Sequence, residues 1–189
     1  MPAPLDPVIE KIIPLLPLRD PAQMSRPPIG AAVTVKELLV VGVRDKASYG
    51  FHARDKNPVG SQDYSGIIVF TGGSAPPKAA DGKAITVGMV VTVTGTFDVF
   101  NNQEQIVAKS ADITITDTGV VVTPLDIKTS ALTGGTESGE KLESLLVRVQ
   151  NVTMRRTVMA MDDDLFVTDD AMEMCSDMTP PCTRIGDFL

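Results

Sequence analysis

The chain has 189 residues, of which 43% are hydrophobic and only 4% are aromatic, and its formal net charge is −7. The length fits one large domain or two small ones. The charge excludes the broad basic surface that nucleic-acid-binding proteins usually present, although a local basic patch stays compatible with it. Acidic side chains are concentrated near the end, because residues 151–189 carry three basic and eight acidic groups.

The N-terminal residues 1–28 are rich in proline, which forbids a long helix there. We expect an arm that lies on the first domain, the alternative being a partly disordered leader. No secretory leader is visible, because a basic segment is lacking and prolines interrupt the apolar run Val8–Leu18. No apolar run is long enough to cross a bilayer.

Residues 29–116 contain five short runs of alternating, β-branched residues, which predict strands. These runs are Ala32–Val43, Tyr49–Asp55, Gly66–Thr71, Val90–Phe97 and Glu104–Lys109. Gly42 and Gly95 indicate bulges or bends in the first and fourth strands. Asn101 and Asn102 indicate a hairpin turn, and Ile113–Ile115 extends the fifth strand. We therefore predict an all-β chain with a five-stranded OB-like Greek-key barrel, in which an irregular loop follows the third strand.

The second half repeats the first weakly. Residues 117–140 read as a connector, with Thr133–Gly139 as a flexible linker. In residues 141–189, Leu146–Val149 is predicted to begin a strand that Thr153–Val158 extends, and Leu165–Thr168 is predicted as a second strand. Since a two-stranded ribbon is not stable alone, the second unit is expected either to pack on the first barrel or to be cut short. We favour a partial, truncated second OB-like β unit.

The successive motifs of the first half resemble a known class of modules. They are GAAVTVKELLVV at Gly30–Val41, GFHARD at Gly50–Asp55, SGIIVFTG at Ser65–Gly72, VGMVVTVTGT at Val87–Thr96 and the pair Gln105-Ile106. This succession is similar to bacterial OB-fold modules that accompany secreted nucleases and envelope lipoproteins. The resemblance implies a secreted or envelope component, with the second half similar to the start of a following tandem module.

Cys175 and Cys182 are separated by a loop that Pro180 and Pro181 stiffen. With no histidine nearby, a zinc site is not expected, and a local disulfide is the favoured interpretation. A disulfide would indicate an oxidising compartment: the periplasm, the cell envelope or the extracellular space. The alternative is a pair of reduced loop cysteines in a cytoplasmic protein.

Catalytic motifs are not recognisable in the sequence. His52 is the single histidine, and no GxSxG motif accompanies it, so an exposed strand residue is favoured over a general base. Asp162, Asp163 and Asp164 are weak metal candidates, because they lack the spacing of a calcium loop, and a solvated acidic hairpin is favoured. We expect no cofactor and no enzymatic activity.

A binding face is the more specific prediction, because OB barrels bind ligands across strands two and three and the adjoining loops. The candidate residues there are Arg44, Lys46, Tyr49, His52, Arg54, Lys56, Phe100, Asn101 and Asn102. Their aromatic rings could stack on bases beside a small cluster of cations. The alternative is a solvated barrel face whose two aromatic side chains lie in the core.

These patterns predict a non-catalytic binding or interaction module of a bacterial secreted or envelope protein, with an unknown protein or polymer as its partner. The alternative function is a single-stranded nucleic-acid-binding accessory module of an extracellular nuclease.

Overall fold

The computed structural model describes residues 12–44, 49–72, 75–132, 136–156, 165–168 and 183–185. The strands of the first half are β1 Ala32–Arg44, β2 Gly50–Asp55, β3 Gly66–Phe70, β4 Val90–Phe100, β5 Gln103–Val107 and β6 Ile113–Asp117. The five predicted strands are confirmed, with ends that differ by no more than three residues.

The first five strands close into a barrel. β1 pairs with β2 and β2 with β3 in antiparallel fashion, β3 pairs with β5 in parallel, and β5 pairs with β4. β4 then pairs with β1, which completes the ring in the order β1-β2-β3-β5-β4. This closed arrangement confirms the predicted all-β, OB-like barrel.

β1 is bent by two irregularities, which allow one strand to pair with both β2 and β4. Its register against β4 shifts between Val35 and Leu38, and its register against β2 shifts between Val40 and Gly42. The bulge predicted at Gly42 is therefore confirmed. No bulge occurs at Gly95, because the register between β4 and β1 continues through it without a shift. A Cβ atom there would lie 2.7 Å from Cγ2 of Ile106, so Gly95 permits close approach of β5.

β6 continues β5 along the same edge of β4, as predicted. β5 pairs with Thr96–Phe100 of β4, and β6 pairs with Val90–Val93, while β1 occupies the opposite edge. A 3₁₀ turn at Ser110–Asp112 separates the two strands.

The N-terminal arm forms part of the barrel core. A short helix, α1 (Leu15–Arg19), buries Leu15 and Leu18 completely, and Ile13 joins the same cluster as Phe51 and Phe97. From position 12 onward, the arm thus packs on the barrel. The described part of the loop between β3 and β4 is irregular, as predicted, and contributes Ala79 and Ile85 to the core.

The second half differs in part from its prediction, although the strand predicted at Leu165–Thr168 is confirmed. Its elements are β7 Leu125–Asp126, α2 Glu137–Leu142, β8 Val147–Arg148, β9 Thr153–Arg156, β10 Leu165–Thr168 and β11 Thr183–Ile185. The flexible linker prediction is wrong for residues 136–139, because Thr136 caps α2 by accepting a hydrogen bond from the amide of Gly139.

The predicted continuous strand from Leu146 to Val158 is also wrong. β8 pairs in parallel with β7, whereas β9 belongs to a three-stranded antiparallel sheet with the order β11-β10-β9. The backbone turns between them at Asn151, which has a φ of 55°. That this sheet begins a second OB-like unit stays a prediction.

Candidate ligand-binding groove

A groove of about 570 Å³ lies on the outer face of the barrel, where β2, β3 and β5 run side by side. It is lined by Arg44, His52, Ile68, Phe70, Phe100, Asn101, Gln103 and Gln105. The volume is within the range of pockets that hold small organic ligands, about 300–1,000 Å³.

Strand alternation explains why these side chains face outward. Phe51 is fully buried in the core, so its neighbour His52 points to the outer face. Val69 is fully buried in the same core, so Phe70 points outward from β3. Ile106 is also fully buried, so its neighbour Gln105 points to the outer face of β5.

The floor of the groove is one row of paired residues across neighbouring strands. His52 of β2 pairs with Gly42 of β1 and Ile68 of β3, and Ile68 pairs in turn with Gln105 of β5. The side-chain amide of Gln105 donates to Asp98 of β4 at 3.1 Å. That bond orients the carbonyl oxygen of Gln105 as an acceptor.

Each of the two sides of the groove contains a phenylalanine. Arg44 and Phe70 belong to the row on one side of the floor, because each pairs with Gly50. Phe100 and Gln103, which pair with each other, belong to the row on the other side. The Phe100 ring is 64% exposed, so its predicted alternative place in the core is wrong.

His52 is a neutral, half-buried group at neutral pH. Burial lowers its pKa below the usual 6.5, and the positive charge of Arg44 lowers it further. Nδ1 of His52 lies 3.3 Å from Oγ of Ser144, within hydrogen-bonding distance. Among the described residues that line the groove, Arg44 is therefore the one that carries a charge at neutral pH.

The structure places the other predicted site residues away from the groove. Arg54 donates to the backbone oxygen of Asp55, and Lys56 pairs with Asp117 at 3.1 Å. Asn102 lines a smaller cavity of about 70 Å³, and Tyr49 precedes β2 as a half-buried residue. Six predicted site residues fall outside the described part of the chain: Lys46, Asp162, Asp163, Asp164, Cys175 and Cys182. Their predicted roles stay predictions.

Half of the groove lining was not foreseen from the sequence. The additional residues are Ile68, Phe70, Gln103 and Gln105. Alternation places them on one face of GIIVF and QEQIV, but the nearly continuous apolar run of the third strand does not show which of its side chains point outward.

A buried guanidinium supports the groove from below one end. Arg19 is only 3% exposed and donates to the backbone oxygens of Gly66, at 2.8 Å, and Glu140, at 3.0 Å. It also pairs with the carboxylates of Glu104 and Glu143. Burial lowers the pKa of Arg19, and Glu143 opposes that effect. No local sequence signal links these residues, which lie far apart in the chain.

Within the described ranges, no group of three or more His, Cys, Asp and Glu side chains is arranged to hold a metal ion. No helix among the same residues has the length and apolar character needed to cross a membrane.

Comparison with protein-family models, curated proteins and solved structures yields no match to this chain.

Proposed function

We propose that this chain is a non-catalytic binding module whose ligand lies in the groove between Phe70 and Phe100. The observation that carries the proposal is the 64% exposure of Phe100, a large apolar ring held at the rim of a 570 Å³ groove. Such exposed aromatic side chains are typical of recognition surfaces rather than of folding cores.

Single-stranded nucleic acid is the ligand class that the lining chemistry favours. Phenylalanine rings stack on bases of any sequence, and each stack contributes about 1–3 kcal/mol. Gln103, Gln105 and Asn101 carry amides that match the donors and acceptors of base edges. Arg44 supplies a cation for a phosphate.

Several observations support a binding role over a hydrolytic one. Ser144 and His52 lie within hydrogen-bonding distance, which is one contact of a catalytic triad. The charged group that acts on the pKa of His52 is Arg44, however, whereas a triad requires a carboxylate that orients the imidazole. Burial and Arg44 both disfavour the imidazolium that a general base must form.

The setting we propose is that of a bacterial secreted or envelope protein, in which the module accompanies a nuclease. The motif resemblance and the cysteine pair support this setting. A disulfide between Cys175 and Cys182 would leave no reactive thiol in protein purified without reductant and unfolded in guanidinium. Two titratable thiols would argue for a reducing compartment.

The proposal is tested by fluorescence anisotropy with labelled oligo(dT) at low salt. Phe100→Ala is expected to weaken binding about 5- to 150-fold, because one stacking platform is lost. Val59→Ala is the matched control, since Val59 is 91% exposed in the loop at the far end of β2 and β3. Absence of binding by the native chain, or equal binding by both variants, would contradict the proposal.

A further inference from the structure

The outer face of β2 and β3 presents three rows, and a later part of the chain covers one of them. The rows contain Gly50 with Phe70, His52 with Ile68, and Arg54 with Gly66. The backbone oxygen of Glu143 sits so close to Gly66 that a Cβ atom there would overlap it. We call residues 140–145 the wall.

The wall is fixed to the barrel at several points. The amide of Tyr64 donates to the backbone oxygen of Lys141 at 2.9 Å. Arg19 binds both the backbone oxygen of Glu140 and the carboxylate of Glu143, at 3.0 Å each. Ser144 then approaches the floor of the groove at His52. A ligand on this face would have to displace these contacts in order to reach the part of the third row that lies on β2 and β3.

What stays open is narrow and contains few contact groups. It runs from the Phe70 row across the floor to the row of Phe100 and Gln103, which is four residues along the strands, or about 13 Å at about 3.3 Å per residue. The described lining of this space offers two aromatic rings, Phe70 and Phe100, and one permanently charged cation, Arg44.

We infer that the groove takes a short footprint of about four nucleotides, in which two bases stack on Phe70 and Phe100 and one phosphate contacts Arg44, and that the wall prevents a longer strand from making further contacts along β2 and β3. This inference rests on the proposed function, because it assigns the length of ligand that the same groove recognises. The footprint lies at the lower end of the roughly 4–16 nucleotides that single-strand-binding OB folds cover.

The inference is tested with unlabelled oligo(dT) of about two, four, eight and sixteen nucleotides, using calorimetry on the full chain. The affinity is divided by the number of positions at which one protein can bind along the oligonucleotide. This corrected affinity is expected to reach a plateau at about four nucleotides, because both phenylalanine rings are then stacked on bases. A tenfold or larger rise in the corrected affinity between about four and sixteen nucleotides would overturn the footprint but not the proposed function. Failure of every length to bind would overturn both.

Salt dependence gives an independent count of phosphate contacts. With one phosphate neutralised, the slope of log affinity against log salt is expected to be about −0.7 for a single strand. Arg44→Gln is expected to bring the slope close to zero, whereas Arg148→Gln, an exposed arginine outside the groove, is expected to leave it unchanged. A native slope steeper than about −2 would contradict a single phosphate contact.

Discussion

Arg19 and Glu143, which are 124 positions apart in the sequence, form an ion pair of 3.0 Å beneath one end of the ligand-binding groove. The guanidinium is 3% exposed and also binds the backbone oxygen of Gly66 on β3. One side chain therefore joins the N-terminal arm, the barrel and the wall.

Arg19→Met is expected to destabilise the fold by about 3–5 kcal/mol, because it leaves the carboxylate of Glu143 without its cation and the backbone oxygens of Gly66 and Glu140 without their donor, whereas Glu104 keeps its pair with Arg26. Lys83→Met removes an exposed pair with Asp81 and should change stability by less than about 1 kcal/mol. Urea unfolding of both variants measures the difference. Equal, small effects would show that the Arg19 contacts contribute little.

Gly66→Ala is expected to cost about 1–3 kcal/mol, because the new methyl group would overlap the backbone of Glu143, which cannot move as a side chain can. Gly42→Ala is the matched control, since its Cβ would lie 3.8 Å from His52, an ordinary contact. Thermal unfolding compares the two. A neutral Gly66→Ala would mean that the wall does not lie on β3.

Asp55→Asn tests whether the free energy of unfolding depends on the titration of the Asp55 carboxyl. Burial raises the pKa of Asp55 to about 6, against the opposing charge of Arg54. The folded chain thus holds this proton more tightly than the unfolded chain does, and the resulting stability is lost as the pH rises through about 6. The asparagine variant should match the native chain near pH 4 and exceed its stability above about pH 7. A difference that is constant with pH would contradict the burial of this carboxyl.

The imidazole of His52 can be followed directly by NMR, because it is the single histidine of the chain. Its pKa is expected below 6.5, and Arg44→Gln should raise it by removing a nearby positive charge. Since the folded-state pKa is depressed, this group contributes stability above about pH 6.5 that is lost as the pH falls. An unchanged pKa in Arg44→Gln would place Arg44 away from His52.

Local patterns accounted for much of the barrel. Alternation in GFHARD accounts for Phe51 in the core and for His52 on the outer face. The Asn101-Asn102 turn is confirmed by positive φ values of 49° and 61°, as a tight hairpin turn requires. These features depend on neighbouring residues, so a sequence can reveal them.

Features that depend on distant residues were missed. Helix α2 has six residues, too few to be stable alone, and its contact with Tyr64 helps hold it on the barrel. The parallel pairing of β7 with β8 joins segments about 20 residues apart by only two residue pairs, which leaves no clear periodic signal. Phe70 ends a nearly continuous apolar run, so its sequence does not distinguish its groove-lining ring from its buried neighbours.

The groove is most directly tested by titrating the isotope-labelled chain with oligo(dT) of about four nucleotides and mapping amide shifts by NMR. We expect saturable changes at Arg44, His52, Phe70, Phe100 and Gln105, with little change at the exposed loop residue Val59. Saturable changes confined to other surfaces, or no changes at millimolar ligand, would contradict the account.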